Sequence, residues 1–104
     1  MKKVYTQGDV CLVQMDKLPK DAKKVDTNGV IILAEGELTG HAHRIFSDTA
    51  VLWKTGEDDY IQTKVPEKVV HEEHPAGTFE PGIYKIFHQR TLDWNSEFPQ
   101  RVLD

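Results

Sequence analysis

Apolar and polar positions in this chain alternate in short bursts, and no segment repeats apolar residues at helical spacing over three turns. The clearest burst is VCLVQM at residues 10–15, where Val10, Leu12 and Gln14 share one face and Cys11, Val13 and Met15 the other. Both faces are largely apolar, which predicts a central strand. The following KLPKDAKKVDTNG is charged, contains Pro19 and ends on the Asn28-Gly29 turn signal, so a long first loop or a single helical turn is expected. Short apolar runs then recur at 30–33, 38–46, 50–54, 60–65, 68–70 and 83–90, with a last one at 101–103. The GEDD between 50–54 and 60–65 reads as a hairpin loop, Gly36 as a bend or bulge, and Pro81-Gly82 as a turn.

Many short strands and no helix predict an all-β fold, either a small β-barrel or a sandwich with short strands and a long first loop. A length of 104 residues suits one β domain over residues 1–104. Net charge of −4, with no basic run longer than two lysines, argues against extensive nucleic-acid binding, although Arg44, Arg90 and Arg101 could form a local positive patch. The single Cys11 excludes an internal disulfide and reads as a small buried hydrophobe. No run approaches a membrane span, and the first ten residues lack the apolar core of a signal peptide. A reducing, cytoplasmic location is the resulting expectation.

Four of the five histidines fall in two tight pairs, GHAH at His41 and His43 and HEEH at His71 and His74. In an extended backbone His41 and His43 share a face, with Cα atoms about 6 to 7 Å apart. HxH is an economical way of aiming two imidazoles at one ion, and HEEH offers a second pair with Glu72 and Glu73 as oxygen ligands or outer acceptors. Either pair alone is as readily explained by surface or core histidines. Two pairs in one small chain, separated by a hairpin that could return the chain, favour one shared site for a divalent transition metal. Zinc is the first choice, with iron or nickel as alternatives.

A metal-free arrangement uses the same residues. Two histidines can serve as general base and acid beside a cation that stabilises a developing oxyanion, as phosphodiester cleavage requires. Candidates for catalytic roles are Glu73, Arg44, Gln89 and Arg90, with Lys85 as a further cation. His88 reads as a core or edge residue rather than a fifth ligand, and Gln7-Gly8-Asp9 as a turn in which Asp9 accepts backbone hydrogen bonds. Trp53 and Trp94 read as core and lid aromatics.

Taken in order, QGDV, GELTGHAH, HEEH and PGIYKIFHQR resemble a family of short, functionally unassigned bacterial and phage proteins. Its pattern runs QGDV, GEVTGHAH, HEEH, then a PxGxY strand ending in QRE. The resemblance spans residues 7–90 and falls on Gln7, Gly8, Asp9, Gly40, His41, His43, His71, His74, Gln89 and Arg90. Thr91 stands where the family pattern has glutamate. A weaker similarity is to cupins, β-barrels with HxH and a later glutamate and histidine around a metal. GHAH is similar to the first half of that site and Pro81, Gly82 and His88 to the second, but RIFSDTAV supplies no glutamate after HxH and HEEH has no counterpart there.

Three functions are therefore compatible with the chain. It could be a metal-binding β protein using His41, His43, His71 and His74, with or without catalysis. It could be a metal-independent phosphodiesterase or nucleotide-binding protein. It could also be a phage or accessory module that contacts a host protein without chemistry. A small molecule or a host protein is the expected partner, and no membrane is.

Overall fold

The computed structural model describes residues 2–35 and 41–88, and these contain ten strands and no helix. The strands are β1 (Val4–Gln7), β2 (Val10–Met15), β3 (Lys23–Val25), β4 (Val30–Glu35) and β5 (Ala42–Phe46). Then follow β6 (Val51–Lys54), β7 (Asp59–Thr63), β8 (Glu67–Val69), β9 (Gly77–Phe79) and β10 (Gly82–His88). A six-stranded antiparallel sheet runs in the order β1-β2-β10-β7-β6-β3. Two antiparallel pairs, β4-β5 and β8-β9, form the opposing layer. They are joined by a two-hydrogen-bond bridge, in which Arg44 N donates to Val70 O at 2.9 Å and Val70 N to Arg44 O at 2.8 Å.

The all-β expectation is met as a sandwich. The described strands do not close into a barrel. Val10, Leu12, Ile61, Tyr84 and Ile86 from the large sheet meet Ile31, Leu33, Ile45, Val69 and Phe79 from the other layer in one buried core. Tyr5, Phe79 and Tyr84 add tilted and edge-on ring contacts at centroid distances of 5.2 to 6.2 Å. β2 lies between two partners, as its two apolar faces predict. Its outward residues Cys11 and Val13 form a second buried cluster with Val4 and Phe87. Burial pushes the Cys11 thiol up to about 11, so it is an inert hydrophobe.

Three strands escape the alternation pattern. β1 lies in the segment before residue 10, β3 inside the expected long loop, and β9 starts at the last residue of HEEHPAG, before the Pro81 turn. β3 is exposed at both lysines and joins the sheet edge by backbone pairing to β6, a bond that leaves no hydrophobic signature. The Asn28-Gly29 turn is as expected, with positive φ at both residues and Val30 N donating to Thr27 O at 3.1 Å. It carries the chain from β3 in one layer to β4 in the other. The expected strand from residue 38 begins at Ala42, with residues 38–40 outside the described residues, as are 101–103.

The register of β4 against β5 shifts between Ile32 and Ala34. The irregularity falls at Leu33; Gly36, the expected bend or bulge, lies outside the described residues. His88 Nε2 donates to the Leu33 carbonyl at 2.9 Å, so an imidazole from the large sheet reaches the backbone of the other layer at the bulge. This is the core or edge role expected of His88.

Candidate metal centre

The two histidine pairs meet where β5 runs beside the end of β8. The Arg44–Val70 bridge sets residues 71–74 next to residues 41–43. The rings of His43, His71 and His74 form a triangle with centroid distances of 4.3 Å (His43–His71), 4.9 Å (His71–His74) and 5.9 Å (His43–His74). His41 joins through His71 at 5.9 Å. Two imidazoles on one tetrahedral zinc have centroids about 5 Å apart, given bonds of about 2.0 to 2.1 Å. The observed spacings bracket that value.

The two ends of the cluster differ in burial. His43 is 4% exposed and points inward with Ile45, whereas the His41 side chain retains 26% of its surface. Burial foremost, then repulsion from the His71 and His74 imidazoles, lowers His43 to about 4, against the weaker upward pull of Asp9 and Glu72. It is therefore neutral near pH 7, as a ligand or a general base must be.

Gln7, at the end of β1, holds His43. Its Nε2 donates to the carbonyls of Val69 and Pro75, each at 3.0 Å, and its Oε1 lies 2.8 Å from His43 Nδ1. Those carbonyls bracket the HEEH segment. Gln7 is 1% exposed, so all three contacts are made out of water. The next residue, Gly8, turns β1 into β2 at φ +54°. A Cβ there would lie 2.9 Å from His74 Nε2, 3.1 Å from His43 Cε1 and 3.4 Å from His43 Nε2. The bare backbone of Gly8 is what lets these two rings approach the turn.

The rim is acidic. Glu72 Oε1 accepts from Ala42 N at 2.8 Å and Oε2 from Arg44 Nη1 at 2.6 Å. The Ala42 amide first, with the Arg44 guanidinium, holds the Glu72 carboxyl down at about 2. One ligand atom each from His41, His71 and Glu72 lies within 4.8 Å of the others. Tetrahedral donors sit about 3.4 Å apart, so this trio need draw in by no more than about 1.4 Å to share an ion. Glu73 faces His41 alone, with Oε1 3.6 Å from His41 Nδ1 and a side chain 58% exposed. His71 Nδ1 accepts the Glu73 amide at 3.0 Å. Neutral His71 thus carries its proton on Nε2, and recruiting it to an ion costs that hydrogen bond.

The structure brings His41, His43, His71 and His74 together and sets Arg44 beside them, engaged with Glu72. Gln89 and Arg90, along with Trp94 and Arg101, lie outside the described residues. Lys85 is on the outward face of the large sheet, beside Asp58 at 3.4 Å and over the Phe87 ring, away from the histidines. Trp53 is half-buried there too, its Nε1 donating to Gln62 at 3.1 Å. Of the two glutamates in HEEH it is Glu72, not Glu73, that lies against β5. Spacing alone missed Gln7 and Gly8 as parts of the site, because a lone amide and a turn glycine have no periodic signature. Their place in the ordered motif set was the available signal.

Fold and cluster together define a small β-sandwich with a partly buried histidine cluster at the junction of its layers. Over residues 6–89 the chain matches, and belongs to, a family described as a domain of unknown function (DUF8820). No curated protein and no solved structure matches it. Among the described residues no helix is long and apolar enough to cross a membrane.

Proposed function

We propose that this protein binds a divalent transition metal, zinc before iron or nickel, through His41, His43, His71 and His74, with the Glu72 carboxylate within reach of His41 and His71. The observation that carries this is the convergence of imidazoles from β5 and from the segment after β8 at spacings of 4.3 to 5.9 Å around a neutral, buried His43. Nitrogen donors with one carboxylate suit zinc, iron and nickel better than magnesium or calcium. With three histidines bound, the remaining position would be open to water or a small-molecule substrate; with four, the site would be structural. Elemental analysis of untagged protein should give about one metal per chain, and essentially none for the His41→Ala, His43→Ala double variant. Metal-free wild type whose melting temperature ignores both chelator and added zinc would sink the proposal.

One observation favours a second reading, an acid–base pair without metal acting on a small phosphodiester or nucleotide. The buried His43 ring is neutral and lies against His71, which is only half-buried. Neutral His43 can take a proton, and His71 can give one once it is protonated on both nitrogens and has released the Glu73 amide. A bell-shaped rate profile that persists in chelator and vanishes in His43→Ala would favour it over the metal. A cytoplasmic setting suits either chemistry, since a reducing compartment matches the lone buried Cys11.

A further inference from the structure

Gln7 makes three contacts, and together they leave its amide one orientation. Two backbone carbonyls, Val69 O and Pro75 O, face one end of the amide at 3.0 Å each. A carbonyl only accepts, so that end is the NH₂ group and the other end is the carbonyl oxygen. Turning the amide over would press Oε1 against two oxygens and leave both without a donor in a site closed to water. The end facing His43 Nδ1 at 2.8 Å is therefore an acceptor. Nδ1 must donate, and in neutral His43 the lone pair then resides on Nε2, the nitrogen on the side of His74 and the Gly8 backbone.

We infer that Gln7 is the positioning residue of the histidine cluster: it fixes the proton of His43 on Nδ1, presents Nε2 as the electron-pair donor, and ties both ends of the HEEH segment to that ring. The inference rests on the metal reading above only for its consequence, ligation through Nε2. The tautomer itself is a property of the metal-free protein. The partners of Gln7 lie 36, 62 and 68 positions away in sequence, in β5, at the end of β8 and just after His74.

The test is a long-range proton–nitrogen correlation spectrum of the imidazoles in chelator-treated, ¹⁵N-labelled protein at pH 8. Wild type is expected to show His43 protonated at Nδ1 and unprotonated at Nε2, and an Nε2-protonated His43 overturns the proposal. Gln7→Met keeps the length of the side chain but accepts nothing strong, so His43 is expected to move toward the Nε2-protonated form. Zinc affinity is expected to fall about 10- to 100-fold in that variant, the range seen when a ligand's outer partner is removed. Gln7→Glu retains an acceptor oxygen and is expected to restore the Nδ1-protonated form, at a loss of stability because its second oxygen faces the Val69 and Pro75 carbonyls. A Gln7→Met protein with the wild-type tautomer also overturns the proposal. If that variant does not fold, the wild-type spectrum still decides. An Nδ1-protonated wild type that takes up no zinc refutes the metal reading and leaves the positioning role intact.

Discussion

The inner and outer halves of the histidine cluster are built on different physics. On the inner side, His43 is buried, its Nδ1 is held by Gln7, and the Gly8 turn leaves no side chain between it and His74. On the rim, His41 is partly exposed and meets Glu73 at 3.6 Å, too long for a hydrogen bond, while Glu72 is fixed by Ala42 and Arg44. The inner half is set by burial and satisfied hydrogen bonds, which salt and water do not screen. The rim is set by charge at the surface, where ion pairs contribute little. His71 belongs to both, touching His41 on one side and His43 and His74 on the other. An ion entering from the rim would meet adjustable ligands first and a fixed one last.

The largest effect is expected where the halves join. His71→Ala should lower zinc affinity by two orders of magnitude or more by calorimetric titration, and a milder loss would mean that the inner half suffices alone. Gly8→Ala comes next. Strain at φ +54° costs about 1 to 2 kcal/mol, and its Cβ meets His74 and His43, so chemical denaturation should show that loss together with a weaker metal site. A stable Gly8→Ala protein with normal metal uptake would show that the turn does not shape the inner half.

Acid should then separate the halves in the metal-free protein. Because His43 is lowered to about 4, the unfolded chain takes up a proton below pH 6.5 that the native state refuses. Stability is therefore fully present above pH 6.5 and lost as pH falls toward 4, by about 3 kcal/mol from this group. His43→Phe, if folded, should flatten denaturation midpoints across that window. The smallest effects belong to the carboxylates. Glu73→Gln should change stability by only a few tenths of a kcal/mol. Glu72→Gln should weaken zinc binding about tenfold, and equal effects from the two variants would contradict the different placements described here.

Strand character was readable wherever side chains alternate against the core, as in β2, β7 and β10. It was not readable in β3, whose lysines face water, nor in β9, three residues long and opened by Gly77. Those strands exist because a neighbouring backbone offers a ladder, and sequence records that only indirectly. The histidine pairing was visible for a related reason: HxH and HxxH are local, and local spacing is written in the chain. Gln7 is the opposite case. Its partners are distant, its residue type is common, and only the folding of β1 against the other layer gives it a role.

That layer crossing has one more consequence. Gln7 comes from the edge of the six-stranded sheet, while His43 and the carbonyls it secures come from the opposing layer and the segment after β8. No fragment containing one sheet alone can assemble the histidine cluster with its Gln7 anchor, so anything held there recognises only the docked sandwich. Such a ligand would act as a rivet through both layers, adding about 2.7 kcal/mol of resistance to unfolding at a hundredfold excess over its Kd.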